Sequence, residues 1–319
     1  MKEVPPRTPP QELLAFAGIH ISQREIWIPA SVGVSWKGSG GTFFAKEGSP
    51  NLIDLKANWY DDEHSRGFFF AAGAFLLMGL ALGPVMWFNH PLFIIINGLH
   101  TPETDMLWLA FTTLGDGFLL VIFLGAFLLV NPRVALFGIM LLLLSSLLIH
   151  IIKICFPVFR PVVVLDTVHV VGPILRSGSF PSGHSAAAMS AGLTLAKFSS
   201  TRGASAGAIL IAVLIGVSRI FVGAHFPADV LGGMMCATLM FITLDRFIWP
   251  GIRERVPAKP LFSSPAFRRV FYLEVFASLY AVSLYSYHSS ELPWVGAFAA
   301  FMVLVFLAVG YVKSSSGPC

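Results

Sequence analysis

The chain has 319 residues, 55% of them hydrophobic and 12% charged, about half the charged share of an ordinary soluble domain. That balance, with a mean hydropathy of +0.76, excludes a typical soluble enzyme and points to the membrane. The formal charge of +4 comes without a basic run, which excludes a nucleic-acid footprint. Cys155, Cys236 and Cys319 form neither a Cys-x-x-Cys pair nor a Cys/His cluster, which argues against a disulfide framework, a zinc site and redox chemistry.

Residues 1–67 are polar, and Pro5, Pro6, Pro9 and Pro10 precede any long apolar run, so the start does not read as a cleaved signal peptide. The alternating stretch from Ile26 to Val34, followed by Gly38, Gly40 and Gly41, fits a small strand pair or a tether at the membrane surface. Eight later stretches approach the length of about 20 residues that a membrane-spanning helix needs. They run roughly over 68–88, 106–130, 134–152, 184–198, 206–222, 228–248, 269–287 and 293–312. With neither an internal repeat nor the ten-residue alternation of a transmembrane barrel, the expected fold is all-α, a polytopic helical bundle. Its expected divisions are a cytoplasmic segment over 1–67, a six-span core over 68–248, and a cytoplasmic loop with two further spans over 249–319.

Lys and Arg are retained in cytoplasmic loops and depleted from short translocated ones. Lys2, Arg7, Arg24, Lys37, Lys46, Lys56 and Arg66 precede the first span, whereas the loop from Asn89 to Asp105 has no Lys or Arg. Arg133, then Lys197 and Arg202, then Arg246, Arg253, Arg255, Lys259, Arg268 and Arg269 fall in loops on the N-terminal side of the membrane. The loop His288–Leu292 again lacks them, and Lys313 follows the last span. Both termini are therefore expected in the cytoplasm. Lys153, Arg160, Arg176 and Arg219 break the pattern on the external side, as an anion-binding site there would require.

Those exceptions belong to three elements. Lys153 is followed after six residues by Arg160-Pro161; Pro181-Ser182-Gly183-His184 opens the fourth span; Ser218-Arg219, five residues, His225, three residues and Asp229 join the fifth to the sixth. In this order, at helix ends, they strongly resemble the three-part signature of the type 2 phosphatidic acid phosphatase family. The resemblance covers roughly 68–248 and leaves the N-terminal segment and the last two spans unexplained. It implies a bacterial-type inner-membrane lipid phosphatase with an external active site, a phosphohistidine intermediate and no metal or other cofactor. Its partners would be the bilayer and a lipid phosphate or diphosphate. Undecaprenyl pyrophosphate and phosphatidylglycerophosphate lead the compatible substrates, ahead of phosphatidic acid and the 1-phosphate of lipid A.

The residues support the same chemistry. Phosphoryl transfer asks for positive charge around the equatorial oxygens, which Lys153, Arg160 and Arg219 can supply. Ser182 reads as the N-cap of an apolar helix whose first N–H groups face an anion, and Gly183 leaves room for close approach. Asp229 stands one helical turn after His225, with Pro227 in the first turn, so it can fix the tautomer of His225 and leave the other ring nitrogen as nucleophile. His184, without a local carboxylate, suits the acid that protonates the leaving oxygen and then the base that activates water.

Other residues invite weaker readings. Arg176 suits a headgroup anchor. Asp116, between Gly115 and Gly117 in the second span, is either functional or hydrogen-bonded between helices. His150 and His169 suit supporting positions near the site, and His90, His100 and His288 suit ordinary interfacial positions. Two rivals remain: a phosphotransferase that passes the phosphoryl group to a lipid acceptor, and a lipid or anion transporter, which would be expected to show a pair of broken-helix repeats.

Overall fold

The computed structural model describes residues 20–21, 25–27, 34–37, 43–45 and 55–257, together with 272–273, 275–276 and 280. The expected spans over 269–287 and 293–312, apart from those five positions, lie outside the described residues. By its internal contacts the chain divides into two units, Met1–Gly67 and Phe68–Cys319.

The first unit carries β1 (His20–Ile21), β2 (Glu25–Trp27), β3 (Val34–Lys37) and β4 (Phe43–Ala45). They pair antiparallel in sequence order, with Ile26 opposite Trp36 and Ser35 opposite Phe44. The alternation near Ile26–Val34 is thus part of a four-stranded meander, so the all-α expectation applies to the second unit and not to this one.

The described helices are α1 (Leu55–Trp87), α2 (Asn89–Asn97), α3 (Pro102–Leu114), α4 (Gly117–Val130), α5 (Pro132–Cys155), α6 (Pro161–Val164), α7 (Gly183–Phe198), α8 (Arg202–Phe221) and α9 (Pro227–Thr243). A π-helical turn over Leu244–Ile248 and a short α10 (Trp249–Ile252) continue α9. Several starts are written in the sequence. Asn131 and Thr201 cap α5 and α8 with their side chains, and Pro102, Pro132 and Pro227 occupy first-turn positions where a missing N–H costs nothing.

Among the described residues, four helical stretches are long and apolar enough to cross a membrane: Gly67–Trp87, Pro132–Cys155, Arg202–Phe221 and Pro227–Arg255. The expected second span is two helices, Pro102–Leu114 and Gly117–Leu128, bent by 56° and counting as a fifth crossing if taken together. The bend falls at Asp116, whose carboxylate accepts from the N–H groups of Phe118 and Leu119 and so starts α4 afresh. Asp116 is therefore the N-cap of a broken helix. The stretch 89–105, expected as a loop, contains α2, a nine-residue helix.

At 16 residues, α7 falls short of a full crossing, and it occupies the interior, buried from Ser185 through Thr194. Its Ala, Gly and Ser side chains let neighbours come close: a Cβ on Gly192 would lie 2.9 Å from that of Ala212 on α8. Ser190 Oγ donates to Ala186 O within its own helix (2.8 Å) and, its one proton so used, accepts from Ser145 Oγ of α5 (3.0 Å). Outward, Leu76, Leu80, Leu143, Leu147, Ile154 and Leu210 are exposed, an apolar surface of the kind lipid covers. The packed α7 thus becomes a rigid post, and its first residues carry the site.

Candidate active site

Helix α7 begins where the chain passes Ser179 and Pro181 and meets the start of α9. Ser182 caps it with φ −72° and ψ 118°, and its hydroxyl accepts from Ser185 Oγ at 2.9 Å. The Ser182 N–H donates to Asp229 O at 2.9 Å, which locks the two helix starts together. That junction has no room to spare, since a Cβ on Gly233 would lie 2.3 Å from Ser182 O. A Cβ on Gly183, by contrast, would meet nothing within 4 Å, so the first turn of α7 opens onto free space.

His225 and Asp229 flank the start of α9 and are 2% and 3% exposed. Asp229 Oδ2 accepts from Ser179 Oγ at 2.6 Å and from the Phe226 N–H at 2.8 Å. The same oxygen lies 3.5 Å from His225 Nδ1, within ion-pair range but longer than a good hydrogen bond. On the other side of the ring, Arg160 Nη1 lies 3.2 Å from His225 Nε2. A guanidinium can only donate, so this contact requires a lone pair on Nε2. In the neutral ring the proton then sits on Nδ1, facing Asp229. Burial first, then the charges of Arg219, Arg160 and Lys153, hold His225 well below the ordinary histidine range and keep it neutral. The Arg160 contact sets this tautomer; Nδ1 makes no hydrogen bond among the described residues, with Asp229 the carboxylate 3.5 Å away.

The three cations surround this pair. Arg160 is buried and hydrogen-bonded through Nε to Ser177 O (3.0 Å) and through Nη1 to Ala224 O (3.0 Å). Lys153, in the last turn of α5, donates to Gly178 O at 2.7 Å. Arg219, in the last turn of α8, donates through Nη1 to Thr112 Oγ1 of α3, while its Nε is buried without a hydrogen-bond partner among the described residues. His184, the second residue of α7, lies within electrostatic reach of Arg219, His225, Arg160 and Lys153. All eight residues singled out in the sequence thus gather at one end of the bundle, around the starts of α7 and α9. Backbone carbonyls thus hold both Lys153 and Arg160 in place.

Arg176 is exposed and contributes its carbonyl, which accepts from the Arg160 N–H at 3.2 Å. His150 is exposed, and His90 stacks on Phe226 at 5.0 Å. Ser179 and Thr112 escaped the sequence reading, because a single Ser or Thr in a loop or span carries no signal until its partner is known.

Residues 134–253 match the PAP2 superfamily, and this segment contains every residue of the cluster. That segment belongs to the PAP2 superfamily. Among curated proteins, a match is the undecaprenyl-diphosphatase BcrC of Bacillus subtilis (strain 168), 34% identical over 84 residues, 26% of this chain and 42% of that protein. Another is phosphatidylglycerophosphatase B of the same organism, 47% identical over 38 residues, 12% of this chain and 19% of that one. The chain thus aligns with less than half the length of the curated relatives it matches. Among solved structures, Aquifex aeolicus LpxE is 31% identical with a TM-score of 0.46, covering 48% of this chain and 92% of that one. The first transmembrane PAP2 type phosphatidylglycerolphosphate phosphatase from Bacillus subtilis is 26% identical with a TM-score of 0.44, covering 61% and 98%.

Proposed function

We propose that this protein is a membrane phosphatase that hydrolyses a lipid phosphate or diphosphate at the external face of a bacterial inner membrane, with His225 as nucleophile. The observation that carries this reading is the buried, neutral His225, its Nε2 lone pair directed at Arg160 and its Nδ1 facing Asp229. An anionic phosphate entering this space would take the hydrogen bonds that Lys153 and Arg160 now give to backbone carbonyls, and Arg219 Nε would gain a partner.

In the first half-reaction the His225 Nε2 lone pair attacks phosphorus as the bond from phosphorus to the leaving oxygen breaks, and His184 gives that oxygen a proton. Lys153, Arg160, Arg219 and the N–H groups opening α7 hold the equatorial oxygens. Asp229 stabilises the imidazole while it carries the phosphoryl group. In the second half, neutral His184 takes a proton from water, the oxygen attacks phosphorus, and the P–N bond breaks to release phosphate and restore His225. No step in this reading uses a metal.

The names of the similar proteins support undecaprenyl pyrophosphate and phosphatidylglycerophosphate as the first substrates to test. The external face is supported by the depletion of Lys and Arg from 89–105 against their abundance before the first span. The deciding experiment measures phosphate release from those two lipids, phosphatidic acid and the 1-phosphate of lipid A, with and without chelator. Wild type is expected to release phosphate in both conditions, and His225→Ala and His184→Ala to lose it. Full release by His225→Ala would overturn the nucleophile. Release that disappears when a lipid acceptor is added would instead identify a phosphotransferase.

A further inference from the structure

A second group of chemistry-bearing side chains lies beside this site and has no part in the reaction. His100 follows α2, Asp105 stands in the first turn of α3, and His169 lies in the loop between α6 and α7. One ligand-capable atom from each can be chosen so that all lie within 4.8 Å of one another. His169 Nε2 is 2.8 Å from Asp105 Oδ2, and the His100 ring lies parallel to that of His169, with centroids 3.8 Å apart and 11° between the planes. We propose that His100, Asp105 and His169 bind a divalent transition-metal ion of the zinc type, which ties the loop before α7 to the α2–α3 corner.

A histidine hydrogen-bonded to an aspartate is ordinary, and two observations go beyond it. Asp105 Oδ1 is buried and has no hydrogen-bond partner among the described residues, an orphaned anionic oxygen of the kind a cation satisfies. The His169 backbone is also held at both ends by one side chain. Its N–H donates to Asn97 Oδ1 (3.0 Å), and its carbonyl accepts from Asn97 Nδ2 (2.8 Å), which also donates to Phe221 O (2.9 Å). Asn97 is buried, so His169 is set against a fixed support, as the groups behind metal ligands commonly are.

The chemistry of the set selects the ion. Two imidazoles and one carboxylate suit Zn²⁺, Co²⁺ or Ni²⁺ better than Mg²⁺ or Ca²⁺, which prefer all-oxygen shells. With metal–ligand distances of about 2.0–2.2 Å, tetrahedral ligand atoms stand roughly 3.3 Å apart. The closing movement falls on His100, which is exposed and follows the end of a helix, while Asp105 and His169 are half-buried. Its ring must also turn, because stacked rings direct their lone pairs side by side. Three protein ligands leave one position for water.

The loop that His169 anchors continues to Ser177, Gly178 and Ser179, which hold Arg160, Lys153 and Asp229. An ion here would stiffen the wall of the active site without touching phosphorus. This site and the phosphatase reading can fail separately, because metal binding is read directly.

The test uses the full chain in detergent, stripped of metal and titrated with Co²⁺, whose visible absorption reports imidazole and carboxylate ligation. Wild type is expected to bind one Co²⁺ per chain, displaced by Zn²⁺, and to unfold at a higher temperature with Zn²⁺ present. His100→Ala, chosen because its side chain is exposed and its loss spares the fold, is expected to weaken Co²⁺ at least tenfold. Asp105→Asn and His169→Ala should do the same, and His225→Ala should bind as wild type does. No Co²⁺ spectrum in wild type, or one unchanged in the His100→Ala/His169→Ala double variant, overturns the site. So does a spectrum lost in His225→Ala while the fold persists, since the ion would then sit at the nucleophile.

Discussion

Ser179 donates its hydroxyl proton to Asp229 Oδ2 at 2.6 Å, and this is the carboxylate oxygen that faces His225 Nδ1. Ser179 is wholly buried, so the contact is shielded from water and sets the rotamer of Asp229. Ser179 acts through Asp229 and is a positioning residue. A hydrogen bond to a charged group is worth about 1.5–3 kcal/mol, and each 1.4 kcal/mol is tenfold in rate. Ser179→Ala is expected to lower kcat about 10- to 100-fold with KM little changed, and Ser179→Thr to recover part of the loss. A Ser179→Ala enzyme with wild-type kcat would show that Asp229 holds its place without the hydroxyl.

The buried state of His225 predicts a pH dependence of stability. Burial and the neighbouring Arg219, Arg160 and Lys153 keep the folded ring neutral well below its ordinary pKa of about 6.5. An unfolded chain takes up that proton near 6.5, and the folded one only at lower pH. Below about 6.5 the unfolded state binds more protons, so this contribution to stability is intact above that value and is lost as pH falls toward the folded pKa. Denaturation midpoints of wild type should therefore drop on acidification more steeply than those of His225→Gln, which has no ring to protonate. Parallel curves for the two proteins would contradict the depressed pKa.

Two glycines at the starts of α7 and α9 predict opposite outcomes. In Gly233→Ala the added Cβ would stand 2.3 Å from Ser182 O, and the junction of α7 and α9 must spread. Overpacking of this kind costs about 1–3 kcal/mol, so the melting temperature should fall and activity with it. In Gly183→Ala the new methyl meets nothing within 4 Å in the protein, so stability should hold. The methyl instead enters the space proposed for the phosphate, and KM should rise several-fold. Measuring melting and kinetics on both variants checks the pair, and a stable Gly233→Ala would refute the contact.

The parts of this site legible in the sequence are those whose chemistry fixes both residue type and spacing. Two imidazoles, three cations and a carboxylate one turn from a histidine have few other reasons to stand together at helix ends. Ser179 and Thr112 were not legible, because they act through atoms brought near only by folding, and the same hydroxyls occur throughout the chain. Hydropathy read 106–130 as one span because averaging over a window of about 20 residues runs across a break two residues long. The break depends on Asp116 turning its carboxylate onto Phe118 and Leu119, a local hydrogen-bond choice that hydropathy does not register. Counting Lys and Arg made 89–105 a loop for a similar reason, since charge depletion bears on side of membrane and is silent about helicity. His169 stands 64 residues after Asp105, and it meets His100 and Asp105 only because α2 and α3 turn back on the loop before α7.

The other end of α7 offers a control that separates fold from catalysis. Lys197, which the sequence offered only as a marker of the cytoplasmic side, pairs with Asp245 at 2.7 Å, with the two side chains 15% and 6% exposed. Its ammonium also lies 5.5 Å from the Phe137 ring centre and 5.8 Å from that of Phe198. Removing one partner of a buried pair is destabilising, whereas replacing both with apolar groups of similar volume is often neutral. Lys197→Met is therefore expected to lower the melting temperature by several degrees, and Lys197→Met/Asp245→Leu to regain most of that. Thirteen residues of helix put this pair about 20 Å from His184, at 1.5 Å per residue. Phosphate release per folded molecule should consequently stay near wild type in Lys197→Met at a temperature where the chain remains folded. A large fall in kcat there would mean that α7 transmits strain along its length, and the rigid post inferred from its packing would be wrong.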